Sequence, residues 1–361
     1  MKICIDVSPI VYGTGVSLYT KQLVNALLQI DKKNEYILLG GSLRQYSNLK
    51  KLINEFKGKY SKKVFPLPPI AAHYLWNIKH KYPIERIVGK IQVFHASDWA
   101  QPPTQAFKVT TIHDLVPLRF PNMSDRKIIE AHKAKLEWVK KEADVVIAVS
   151  EFTKREIIDL LKINPKKIVV IPEAPDPTLK KSSQEEIDKT LNKYKVRDKF
   201  LLMVGADPRK NINQTLEGYQ LVKKNHPNLS IVITGRPWKP LPKIEGVILT
   251  GYISREELVN LYSSAEALVY PSLYEGFGLP ILEAMKLGCP VVTSNLSSMP
   301  EVAGRAAVLV NPKDFEDIAK GIEKVLSDRV LWINRGKKRA KEFSWIDTAE
   351  KTLKVYKGAI K

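Results

Sequence analysis

The chain has 361 residues, 44% hydrophobic and 27% charged, enough apolar material for two cores of about 150–180 residues each. No apolar run is long enough to cross a bilayer, and the opening MKICIDVSPIVYGTG is too short in apolar character for a secretory leader. The two cysteines, Cys4 and Cys289, sit in apolar runs and the six histidines are scattered, which excludes a disulfide framework and any recognisable metal-ligand spacing; a cytoplasmic address is expected. Basic residues outnumber acidic ones 58 to 38, a net charge of +20, and residues 1–180 hold 29 of the former and 17 of the latter. Such an excess draws phosphorylated small molecules, acidic membrane or nucleic acid, or is a solvated lysine-rich surface.

In chain order, KICIDV, EYILLG, KVFPL, VFHAS, KVTTIHDL, DVVIAVS and KIVVIPE read as strands. Helical periodicity fits 16–30, 47–59, 71–88, 125–142 and 151–161 between them. Continuous apolar runs separated by helices predict a buried parallel sheet. Residues 1–178 therefore form a first Rossmann-like domain, and the charged stretch 179–199, just after Pro175 and Pro177, reads as a linker with one polar helix. The rhythm restarts at FLLMVG and runs through LSIVITG, GVILTG, ALVYPS, PVVTS and AAVLVNP, with helices near 211–225, 254–263, 279–287 and 314–326. The second domain is 200–343, and the helix at about 344–361 is free to pack back on the first. Two doubly wound α/β domains place ligands beyond the carboxyl ends of their strands, in the cleft between them.

The sharpest motif is PSLYEGFGLPILEAM, from Pro271 to Met285. A strand ends, a glycine loop follows and a helix begins near Leu279, so the amides of Phe277, Gly278 and Leu279 point out of a helix N-terminus, a ready anion site. Gly276 and Gly278 allow close backbone approach. Glu275 and Glu283 can both face one pocket and accept hydrogen bonds from paired hydroxyls, as sugars and ribose present. Read singly, Glu283 is equally a first-turn glutamate favoured by the helix dipole, and Glu275 a surface loop acid.

This stretch resembles the signature of retaining glycosyltransferases of family 4, which have the GT-B fold, and the resemblance covers nearly the whole chain; within the family it looks closest to mannosyltransferases of the O-antigen type. It implies that Glu283 binds the ribose hydroxyls of a nucleotide and Glu275 contacts the transferred sugar, with the loop amides assisting. In VGADPRKN the resemblance implies that Lys210 holds the donor diphosphate. Where many members carry an arginine directly after the glycine, this chain has Ala206, so Arg209 is the second candidate cation, or else a solvated side chain. In the first domain, Gly15, with Gly13 beside it, lies in a glycine loop that the resemblance turns toward the donor phosphates and acceptor. His113 of TTIHDL would touch the donor sugar, with Asp114 orienting backbone or His113; a hydrogen-bonded histidine without chemistry is the plainer reading. Ser150 matches a strand-to-helix turn facing the cleft and is also a ready N-cap. Gly235, Tyr252 and Ile253 end strands near the expected base pocket.

The resemblance implies retention at the anomeric carbon and no metal, since side-chain cations and helix amides supply the positive field. No cofactor is expected; the donor is a nucleotide sugar, GDP-mannose first and UDP- or dTDP-sugars next. The acceptor is expected to be a glycan, lipid-linked or another cell-surface precursor. Leu49, Leu52, Ile53 and Phe56 share a helical face beside lysines, which suits either an interfacial helix on anionic lipid at the cytoplasmic face of a membrane or a surface helix docked on its own sheet. Nothing in the sequence sets an oligomeric state. A dehydrogenase would need an acid after the second strand that is missing here. A nucleic-acid module would need an aromatic-basic motif, also missing. A sugar-nucleotide epimerase or a non-catalytic sugar-nucleotide binder would share the architecture.

Overall fold

A computed structural model describes residues 1–360 and divides the chain into two compact units, Met1–Glu173 with the stretch from Ser344 onward, and Ala174–Phe343. The first unit holds a seven-stranded sheet of β1 (Lys2–Asp6), β2 (Glu35–Gly41), β3 (Ser61–Phe65), β4 (Val93–Ala96), β5 (Phe107–Ile112), β6 (Val145–Ala148) and β7 (Ile168–Val170). The order is β3-β2-β1-β4-β5-β6-β7, with every pairing parallel. The second unit repeats the plan with β8 (Phe200–Met203), β9 (Ser230–Thr234), β10 (Val247–Gly251), β11 (Ala267–Tyr270), β12 (Val291–Ser294) and β13 (Val308–Val310), in the order β10-β9-β8-β11-β12-β13. Its pairings are also parallel. Each sheet is a doubly wound Rossmann-like layer in which the strand order reverses at its first strand. The crevice beyond the carboxyl ends there, at β1/β4 and at β8/β11, is where such folds take ligands.

The central strands are buried and mostly apolar because helices cover both faces. Leu201, Met203, Ile231, Ile233, Val269 and Val292 form the middle of the second core, and Cys4, Ile37 and Phe94 that of the first. Both cysteines are buried and unpaired; burial pushes the Cys289 thiol up to about 12. Among the described residues no helix is long and apolar enough to cross a membrane.

Three expectations change. The helix expected over 71–88 is interrupted: helical turns over 69–78 stop before His80, whose φ is 49°, and resume only at Glu85–Val88. Pro83 lies in the gap; it lacks an N–H and disfavours helix at the residue before it. The supposed linker 179–199 belongs to the second unit. Its helix Gln184–Lys193 is closed by a Ser183/Glu186 capping box, and it docks through Ile187 and through Thr190, whose hydroxyl takes a 2.8 Å bond from the Asn260 amide. Capping and one apolar stripe outweigh the charge of its outer face. The stretch 47–59 is a shorter helix, Tyr46–Asn54, whose apolar side is turned inward, with Leu49 and Ile53 fully buried and Phe56 beyond its end nearly so. That side is docked on its own sheet, the second of the two alternatives.

The C-terminal helix Trp345–Tyr356 packs in the first unit. Tyr19 meets Trp345 edge-on, with ring centroids 5.6 Å apart, and the Tyr356 hydroxyl lies 2.6 Å from His95 Nδ1.

Candidate functional site

At the β8/β11 crevice the chain turns twice. After β8, Gly205 takes φ +85°, and the single turn Pro208–Lys210 is capped by Asp207, whose carboxylate accepts from the Arg209 amide. A Cβ on Gly205 would stand 3.0 Å from Lys210 Cε, so the glycine clears the path along which the lysine reaches across to the β11 loop. There the Lys210 ammonium donates to Glu275 Oε1 at 2.6 Å and to the Tyr270 hydroxyl at 2.5 Å. Two of its three N–H donors are thereby engaged and one remains. Burial alone would push the Glu275 carboxyl up, but the neighbouring cations Lys210 and Arg209 hold it below the usual carboxylate range. Arg209 reaches Asp207 at 3.1 Å from the same turn, and its carbonyl accepts from the Leu273 amide, so the two loops are stitched together.

The glycine loop ends at Gly278, which caps the helix Leu279–Leu287 at φ +102°. That backbone geometry belongs to glycine. No side chain caps this helix, and Pro280 occupies its first turn, so the helix start presents amide donors with a partial positive charge. The loop is fixed from behind. Ser298 Oγ lies 2.9 Å from the Glu275 carbonyl and 2.7 Å from that of Phe277, and the Glu275 amide donates to Ser297 Oγ. Phe277 packs edge-on against Phe343 at 6.0 Å.

Glu283, one turn into the helix, is buried and takes a 2.5 Å bond from the Arg255 guanidinium. Burial outweighs this partner and pushes the carboxyl up. Gly235, at φ +87°, bridges to Gly251 through a 2.7 Å bond at the carboxyl ends of β9 and β10. Tyr252 is 80% exposed beside Arg236, and Ile253 is half-buried.

In the first unit, His113 follows β5 and its Nδ1–H donates to Glu173 Oε1 at 2.8 Å, with the Tyr19 ring edge-on at 4.5 Å. Burial would lower its pKa, but the Glu173 hydrogen bond and charge raise it. Asp114 accepts from the Val116 amide and so orients backbone. Ser150 is buried and caps the helix Glu151–Glu156 by accepting from the Thr153 amide, the N-cap role. Gly13 lies on the exposed turn before the helix Gly15–Ile30 and Gly15 opens that helix, with open space where a Cβ would stand at either.

The structure thus brings Lys210, Glu275 and the Leu279 helix start together, and sets Glu283 one turn away in the same helix. No local sequence pattern marks Glu173, Arg255, Tyr270 or the Ser297–Ser298 pair. The first three are partners supplied by other elements, and the serines sit in a loop without a motif. Among the described residues no cluster of His, Cys, Asp or Glu has a metal-holding arrangement.

Residues 13–179 match the family model described as Glycosyltransferase Family 4, and residues 183–343 match that described as Glycosyl transferases group 1. The chain is 34% identical over 284 residues to O-antigen chain mannosyltransferase B of Escherichia coli, covering 74% of each. Its fold is similar to that of sucrose-phosphate synthase from Thermosynechococcus elongatus, with TM-score 0.71 at 17% identity over 100% of this chain and 99% of that one. It is also similar to Anabaena HepE in complex with UDP and glucose, with TM-score 0.68 at 17% identity over 98% and 99%. With the two matched domains filling the two Rossmann-like units, this chain belongs to the family 4 glycosyltransferases and has the GT-B fold.

Proposed function

We propose that this glycosyltransferase moves a hexosyl group, mannose first, from a nucleoside diphosphate sugar to a glycan acceptor with retention at the anomeric carbon. The observation that carries the reading is the Lys210 ammonium, 2.6 Å from Glu275 and with a donor to spare, beside an uncapped helix start. A cation and aligned amides at one point make an anion site suited to a diphosphate. Lys210, Arg209 and the amides of Gly278 and Leu279 would neutralise the charge that develops on the leaving diphosphate. Glu283 would accept from the ribose hydroxyls and Glu275 from a hydroxyl of the transferred sugar. His113, held by Glu173, would line the sugar's side in the first unit.

Glu275 is engaged by a cation, which suits a hydroxyl-binding carboxylate better than an attacking nucleophile. Attack from the leaving group's face accommodates this. The acceptor oxygen bonds to the anomeric carbon as its bond to the diphosphate oxygen breaks, and the acceptor's proton passes to that oxygen. The mannosyl choice follows the O-antigen relative's printed name, and GDP-mannose is the donor to try first, with UDP- and dTDP-sugars next. The side-chain cations suit a metal-independent reaction, so turnover should survive EDTA; abolition by chelation would contradict that part.

The test is a thermal-shift series with GDP, UDP, dTDP and their sugar conjugates. A ligand at about 100 times its Kd stabilises the folded state by about 2.7 kcal/mol. A selective shift with one nucleotide family, lost in Glu283→Gln, is expected; no shift with any of them would sink the reading.

A further inference from the structure

The first unit contains a cavity of about 450 Å³ at its own switch point, walled by residues at the carboxyl ends of its strands, from Asp6 of β1 to Phe65 of β3, and by Ser97 just after β4. Ligands of doubly wound sheets bind in this position. The wall is predominantly apolar, through Leu39, Phe65, Leu67, Ile70, Trp76 and Ile128.

Several polar groups in the wall are already engaged, Glu130 among them through a 2.9 Å bond from Arg126. Asp6 accepts from the amide and hydroxyl of Ser8, at 2.9 and 2.5 Å. His73 Nδ1 faces the Asn77 amide at 3.3 Å, and Trp76 Nε1 donates to the Tyr82 carbonyl at 3.1 Å. A sugar ring placed here would bury hydroxyls against aliphatic carbon, at the cost of their hydrogen bonds to water. An aliphatic chain would gain burial instead.

The mouth adds a second observation. Ile70, which lines the cavity, begins a helical ridge with Tyr74 and Ile78 at successive fourth positions, and these three side chains are 81%, 52% and 51% exposed. Lys127 lies in the wall, and the Lys79 ammonium sits 5.6 Å above the Tyr74 ring. Exposed apolar side chains flanked by cations match a lipid with an anionic head.

We infer that this cavity and ridge receive the aliphatic chain of the phospho-lipid that carries the acceptor glycan, with Lys127 and Lys79 facing its phosphate. The inference rests on the transferase reading above and names the acceptor class and its place. It also moves the lipid contact from 47–60, whose apolar face is used internally, to 70–78.

The experiment measures binding of farnesyl phosphate to the full chain by tryptophan fluorescence, since Trp76 and Trp99 both line the cavity. Ile70→Glu and Ile128→Glu alter exposed positions, so melting temperatures should hold. Each should weaken farnesyl phosphate about tenfold or more, because a carboxylate is driven into the chain's path. Vesicles of phosphatidylcholine and phosphatidylglycerol without carrier lipid should bind more weakly than farnesyl phosphate. Unchanged affinity in both variants, or equal affinity for the carrier-free vesicles, would overturn the assignment. Nucleotide thermal shifts on the same samples should be unaltered by either variant. Their absence in the unsubstituted protein would tell against the donor site, whereas loss of farnesyl phosphate binding alone would tell against this cavity.

Discussion

Removing the Lys210 ammonium would leave Glu275 largely buried without its nearest cation, and would take a positive charge from the point where the leaving diphosphate is proposed to sit. Lys210→Ala should therefore lower turnover by about 10²–10³ and also lower the melting temperature. Adding Glu275→Gln should restore part of the melting temperature and none of the turnover, because the two side chains are coupled. Equal turnover in Lys210→Ala and the unsubstituted protein would remove the lysine from the mechanism. His113 makes a different statement. Its pKa is raised in the folded state, so its stabilisation is complete below the ordinary histidine value of about 6.5 and is lost as pH rises through the higher folded value. The melting-temperature gap between the unsubstituted protein and His113→Gln should be widest at acid pH and shrink toward alkaline pH; a gap that widens with pH would contradict the Glu173 pairing. Lys210, Glu275 and Glu283 were legible because each sits in a short motif beside glycines. Glu173, Arg255 and Ser298 were not, since they reach their partners across 60, 28 and 21 residues of chain, and no local pattern encodes such a distance.

At the scale of the element, the helix Leu279–Leu287 depends on Gly278. Its φ of +102° is strained for any other residue, and an added Cβ would stand 3.3 Å from Ile281 Cδ1. Gly278→Ala should cost about 1–3 kcal/mol of stability and weaken the donor nucleotide by tilting the helix-start amides; denaturant melts with and without nucleotide check both, and an unaltered midpoint would contradict the strain. This helix was read to its boundaries because strand, glycine loop, Pro280 and a closing Gly288 all agree. The segment 71–88 was misread because its periodicity runs through Pro83, and the break is settled by tertiary contacts. His80 stacks on Trp138 at 3.6 Å and bonds Glu142 at 2.8 Å, interactions that hold its left-handed backbone in place.

Over the whole molecule, alternation of apolar runs and amphipathic stretches was enough to predict two parallel α/β layers, since a sheet covered on both faces leaves an unbroken apolar signature. The unit boundaries were less readable. A charged stretch looks the same whether it joins units or caps one, and a C-terminal helix does not announce which core it will join. Here Tyr356 reaches His95, 261 residues earlier, and burial pushes the His95 pKa down to about 3, so this contact is made by a neutral imidazole. Tyr356→Phe should destabilise the chain by about 1–3 kcal/mol by leaving the buried ring nitrogen without its partner, read as a shift in the denaturant midpoint; no shift would mean that the bond contributes nothing net. The repeated strand order gives the molecule a crevice at β1/β4, proposed above for an apolar chain, and another at β8/β11, proposed for a diphosphate. The most direct measurement of the transferase proposal is proton NMR of the product formed from GDP-mannose and a mannose-terminated, lipid-linked acceptor. An α-linked mannosyl product appearing with stoichiometric GDP is predicted; a β-linked product, or GDP release without a new glycosidic bond, would contradict it.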